Sequence, residues 1–70
     1  MNTIDNLQHE VQTALMNDDR LRDSAIEVLD SNGVITLRGT VPTREARDRA
    51  EAIVRGVPGV KSVINEIDVV

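Results

Sequence analysis

The stretch Gly33-Val34-Ile35-Thr36-Leu37-Arg38-Gly39-Thr40-Val41-Pro42-Thr43 decides the fold. It leaves a turn, runs along one strand and hands over to a helix. Ile35, Leu37, Gly39 and Val41 alternate with Val34, Thr36, Arg38 and Thr40, the period of a half-buried strand. Upstream, Ile26 and Val28 alternate with Glu27 and Leu29, and Asp30-Ser31-Asn32-Gly33 separates the two runs. Asn-Gly is the preferred pair for a two-residue type I′ turn, because both positions need positive φ. That turn sets Val28 opposite Leu37 and Ile26 opposite Gly39. Opposed residues share a face, so both apolar sets fall on one side. A slip of a single position would bring Leu29 inward and send Val28 out.

Helical patterns flank the hairpin. Ile4, Leu7, Val11, Ala14 and Leu15 form one apolar stripe, which predicts a helix from about Ile4 to Met16. Thr3 is its expected N-cap, with Asp5 facing the positive end of the helix dipole. Asn17 is expected to end it in a left-handed conformation, and Leu21 to return to the core. Pro42 stops the second strand and Thr43 caps a second helix. Ala46, Ala50, Ile53, Val54 and Val57 make its buried stripe, with Gly56 as C-terminal cap and Pro58 beyond it. Val60 to Val70 reads as the last strand. Val63, Ile67 and Val69 are expected to face the core with Asn65 among them, and Ile64, Glu66, Asp68 and Val70 to face out. A right-handed crossover makes this strand parallel to the second and its neighbour. The expected fold is therefore α+β, in the order α-β-β-α-β. Two helices pack on one face of a three-stranded mixed sheet, and residues 1–70 form a single domain.

Composition narrows the function. The chain has 70 residues, so its hydrophobic core is small. It has no Cys, and no Phe, Trp or Tyr. Disulfides, thiolate metal sites and aromatic stacking of bases are thereby excluded. Eight Lys and Arg against twelve Asp and Glu give a net charge of −4. That sign opposes long-range attraction to nucleic acid, and no nucleic-acid partner is expected. Met1–Asp5 carries no basic residue and no apolar run, so no signal-peptide pattern is read there.

No residue group amounts to a catalytic constellation, and neither enzyme activity nor a cofactor is expected. His9 is the only histidine and falls on the helix face away from the stripe. Asp30-Ser31-Asn32-Gly33 resembles the start of a calcium loop, but a strand follows where the bidentate Glu should stand. Asp18, Asp19 and Asp23 read as a solvated loop interleaved with Arg20 and Arg22. Arg44, Arg47, Arg49 and Arg55 give the second helix a basic look. Opposite charges at Arg44–Asp48, Glu45–Arg49, Arg47–Glu51 and Glu51–Arg55 offset it at (i, i+4) spacing. The uncovered sheet face is the leading candidate surface, with Leu29, Val34, Thr36, Arg38, Ile64 and Val70 pointing outward. Arg44, Arg47 and Arg55 are the alternative, for an anion.

The order of these positions resembles the BON domain, a small bacterial module. The resemblance rests on Val11, Ala14, Leu15, Ile26, Val28, Gly33, Leu37, Gly39, Val41, Ala50, Val57, Gly59, Val60, Val63 and Asn65. Gly33, Gly39 and Gly59 are its structural glycines. A strand glycine permits close approach of a helix, and Ala50 is the expected partner of Gly39. The resemblance implies a non-enzymatic module of the periplasm or cell envelope, linked to osmotic stress. It implies attachment to a phospholipid membrane or another protein domain, with weak self-association also open. The alternative it implies is a ligand- or potassium-sensing accessory domain.

Overall fold

A computed structural model describes residues 7–70. The elements are α1 (Leu7–Met16), β1 (Ala25–Ser31), β2 (Val34–Val41), α2 (Arg44–Arg55) and β3 (Ser62–Val69). β1 pairs antiparallel with β2, and β2 pairs parallel with β3. The sheet order is β1-β2-β3. The expected α+β architecture is present, with β3 beside β2. Ile4 and the expected cap at Thr3 and Asp5 lie outside the described residues.

The hairpin follows from its turn. Asn32 has φ 53° and Gly33 φ 91°. The Asp30 carboxylate accepts the Gly33 N–H at 3.0 Å, which braces the turn. The register sets Val28 against Leu37 and Ile26 against Gly39. Val28, Ile35, Leu37, Val41 and Ile67 are buried on the inner sheet face, under Val11 and Leu15 of α1 and Ala46, Ala50 and Val54 of α2. Leu21 closes the core from the loop after α1, buried as expected. Each fully buried aliphatic side chain contributes about 1.5–3 kcal/mol, so this aliphatic set carries the fold without aromatic residues. Thr43 caps α2 by accepting the Ala46 N–H on its hydroxyl at 3.0 Å.

Several details depart from the expectation. Asn17 is not left-handed, since Asn32 is the one non-glycine residue with positive φ among those described. Its N–H instead continues the α-helical pattern to Thr13 O at 2.9 Å. Gly56 has φ −82°, not a left-handed value. The last turn of α2 tightens, with Gly56 N–H on Ile53 O and Val57 N–H on Val54 O, both at 3.1 Å. Those bonds satisfy the end carbonyls, and the left-handed residue comes later, at Gly59 with φ 99°. β3 is shorter than Val60 to Val70, and Val69 at its end is 40% exposed. An edge strand has a strand neighbour on one side only, which leaves this inward position uncovered.

Gly39 departs most. It has φ 142°, and a Cβ built there would lie 2.0 Å from Ala25 O and 3.1 Å from Ile26 Cα. The obstacle is the backbone of β1, not Ala50 of α2. Gly39 is required by the strand pairing, while Ala50 is buried for its own packing.

Candidate interaction surface

The outer sheet face carries rows of residues set by the two registers. Leu29 pairs with Thr36, and Thr36 pairs with Ile64. This row is 38% exposed at Leu29 and 46% at Ile64. Val34 lies beside it, between Ser31 and Ser62, and is half-buried. The next row is Glu27, Arg38 and Glu66, where Arg38 Nε donates to Glu66 Oε1 at 3.0 Å. Beyond it come Ala25, Thr40 and Asp68. Strand alternation puts all of these side chains opposite the core. The face is thus apolar near the hairpin and acidic at the far end, with Arg38 between two carboxylate-bearing neighbours. Val70 is 82% exposed past the end of the ladder and does not join the apolar row.

The alternative surface does not assemble. Of the four expected (i, i+4) pairs on α2, only Glu51–Arg55 forms, at 2.7 Å. Arg47 pairs with its neighbour Asp48 at 3.5 Å. Arg49 turns away from Glu45 to the loop after α1, where its Nε donates to Asp18 Oδ2 at 2.5 Å. Arg44 stands at the opposite end of α2 from Arg55. Arg44, Arg47 and Arg55 therefore present no common basic patch.

Asp18 explains the change of partner. Its side chain is only 10% exposed, so a guanidinium there gains more than at a solvated glutamate. Asp18 Oδ1 also accepts the Arg20 N–H at 2.9 Å. That backbone bond first, and the Arg49 guanidinium second, hold the carboxyl below the ordinary value of 3.8. The acidic loop thus latches α2 to the end of α1, with both Asp18 oxygens engaged. Asp19 is occupied by Arg22 at 3.4 Å. Among the described residues, no three His, Cys, Asp or Glu side chains are placed to hold a metal ion. His9 is exposed on α1.

Sequence reasoning missed the hub at Asn65. Its Nδ2 donates to Arg47 O at 3.3 Å and to Glu51 Oε1 at 3.2 Å. Its Oδ1 accepts the Ile67 N–H at 3.1 Å. The signal available in the sequence was an amide at an inward position of an otherwise aliphatic alternation. Such a group needs partners, and α2 supplies them.

A family model described as BON domain matches residues 3–70. This chain belongs to the BON domain family. It is 40% identical over 58 residues to Osmotically-inducible protein Y of Escherichia coli, covering 83% of this chain and 29% of that protein. It is 33% identical over 64 residues to Outer membrane lipoprotein DolP of Haemophilus influenzae, covering 90% of this chain and 33% of that protein. The chain spans about a third of the length of these curated relatives. Most BON positions named from the sequence are packing positions: Val11, Leu15, Val28, Leu37, Val41 and Ala50 are buried, and Ile26, Val57, Val60 and Val63 pack against them. The outer face lies outside that set.

Proposed function

We propose that this BON domain is a non-enzymatic module of the bacterial cell envelope that docks its outer sheet face on a phospholipid surface. One observation carries the reading: Leu29 and Ile64 flank Thr36 in a single row, with Val34 beside them, on the face opposite both helices. The relative named as an outer membrane lipoprotein supports an envelope setting, and the osmotically inducible relative supports a stress setting. The non-enzymatic reading rests on a lone histidine and the lack of cysteine. A net charge of −4 opposes anionic membranes at long range, so contact depends on apolar insertion and is weak for a single copy. Linked copies would strengthen it through effective concentration.

The test is flotation with phosphatidylcholine vesicles, with and without phosphatidylglycerol, for wild type and the double variant Val34→Ser/Ile64→Ser. Wild type is expected to float and the folded double variant to float less. Equal flotation of the two removes the outer face as the site. Absence of flotation, together with sedimentation as a dimer that the double variant abolishes, replaces lipid by a second protein surface. A potassium-dependent thermal shift without flotation replaces both by the cation-sensing alternative.

A further inference from the structure

A cleft of about 300 Å³ lies between the last turn of α2 and the start of β3, lined by Arg55, Val60, Lys61, Ser62 and Val63. Its polar side chains are donors. Arg55 brings a guanidinium and Lys61 an ammonium, and neither can accept a hydrogen bond. Ser62 pairs with Val34, so strand alternation turns its hydroxyl to the outer face. The parallel ladder supplies a further donor. Ser62 N–H bonds Gly33 O at 3.5 Å, and Val70 N–H bonds Val41 O at 3.0 Å. The even-numbered amides of β3 thus turn to β2, and the odd-numbered ones turn to the free edge. Ile67 follows this rule, since its N–H goes to Asn65 Oδ1 at 3.1 Å. The Asn65 carboxamide closes the edge there. The amide of Val63, at the cleft, meets no acceptor among the described residues.

The two cations are held in place. Arg55 Nη2 donates to Glu51 Oε2 at 2.7 Å, and the other Glu51 oxygen accepts Asn65 Nδ2 at 3.2 Å. Glu51 therefore orients Arg55 while leaving other guanidinium N–H groups available. The Lys61 stem lies against the turn: a Cβ built at Gly33 would meet its Cγ at 3.0 Å. Lys61 N–H bonds Gly33 O at 2.8 Å. No carboxylate among the described residues pairs with the Lys61 ammonium.

We propose that this cleft binds a phosphate group, held by Arg55, Lys61 and the Val63 amide. Donors come from a helix, a turn and a strand edge, so they surround a tetrahedral anion better than a planar one. An arginine fork with a second point charge suits a phosphate of one or two negative charges. The site is weak, because the Arg55 side chain is 67% exposed and salt screens it. The phosphate is either a soluble ion or a lipid headgroup, and the two sources are separable by experiment.

The experiment is a titration of the ¹⁵N-labelled protein with inorganic phosphate at constant ionic strength, following the Ser62 and Val63 amides. Flotation with phosphatidylcholine vesicles containing phosphatidic acid runs in parallel. Saturable shifts at those amides are expected. Arg55→Gln and Lys61→Gln should each weaken the response by about fivefold or more, the loss of a charge-assisted bond at an exposed site. Arg44→Gln should leave it unchanged, and so should Val34→Ser/Ile64→Ser, which separates this site from the outer face. Matching thermal melts confirm that the variants fold. Saturation with inorganic phosphate supports a soluble source. Flotation lost in Arg55→Gln and Lys61→Gln, without saturation by inorganic phosphate, supports a headgroup. No response to either probe, or equal losses in Arg44→Gln and Arg55→Gln, overturns the proposal.

Discussion

Replacing Gly39 by alanine separates two explanations of the same residue. Gly39 has φ 142°, a conformation that L side chains rarely adopt. An added Cβ would lie 2.0 Å from Ala25 O, 3.0 Å from Ala25 C and 3.1 Å from Ile26 Cα. All three are backbone atoms of a paired strand, which cannot swing aside as a side-chain tip can. Backbone strain of this kind costs about 1–3 kcal/mol. Forcing two packed segments apart adds about 1–3 kcal/mol more. A domain of this length has about 4–10 kcal/mol in total, so Gly39→Ala should remove near half of it. The chain has no Trp, Tyr or Phe, so far-ultraviolet circular dichroism is the probe for urea unfolding. With a slope of about 1 kcal/mol/M, the midpoint should fall by about 2 M or more at unchanged slope. Adding Ala50→Gly gives a double-mutant cycle. A constraint imposed by α2 would let Ala50→Gly relieve the strain, whereas the β1 backbone leaves the pair uncoupled. A midpoint close to wild type, or clear rescue by Ala50→Gly, refutes the reasoning.

Other perturbations probe the turn, the hub and the latch. Gly33→Val should destabilise by about 1–3 kcal/mol, because φ 91° excludes a β-branched residue; an unfolding midpoint equal to wild type would contradict the type I′ geometry. Asn65→Ala removes bonds to Arg47 O, Glu51 Oε1 and Ile67 N–H, and should cost about 1–2 kcal/mol. Hydrogen exchange at Ile67 should quicken in that variant, and an unchanged rate would show that Asn65 does not hold the edge. Asp18 has a folded pKa below 3.8, so its contribution is present above that pH and is lost as pH falls through the lower folded value. Asp18→Asn should therefore flatten stability against pH below about 3.8, and an identical acid profile in wild type and variant would refute the latch.

How much was legible depends on the range of each signal. The hairpin register was readable because the Asn32-Gly33 turn and the alternation around it are local and agree. The parallel placement of β3 was readable because crossover handedness leaves few choices. Gly39 was located correctly but explained wrongly. Sequence marks a position without room for a side chain, yet does not say whether a helix or a strand occupies the space. The ion pairs of α2 were misread for a related reason. Spacing along a helix finds intrahelical neighbours, but Arg49 chose Asp18, thirty-one residues earlier, because a nearly buried carboxylate outcompetes an exposed one. Asn65 was seen as inward and left without partners, since two of its three partners sit on α2.

The parallel crossover also decides where the two candidate surfaces fall. Because β3 runs with β2, its start lies beside the start of β2, and Ser62 pairs with Val34. Ile64 therefore completes the row begun by Leu29 and Thr36 at the hairpin end. An antiparallel β3 would reverse the row order and set its acidic residues toward the hairpin. The same step brings Lys61 and Ser62 to the last turn of α2, where Arg55 waits at the cleft. Strand alternation then sends Ile64 to the outer face, while the Val63 amide points to the edge. The apolar row and the donor cleft thus occupy one end of the molecule but look in different directions. A ligand in the cleft leaves the row open, and a partner on the row leaves the cleft open. Glu27, Glu66 and Asp68 collect at the other end of the outer face, so an anionic partner is favoured at the hairpin end and opposed at the far one.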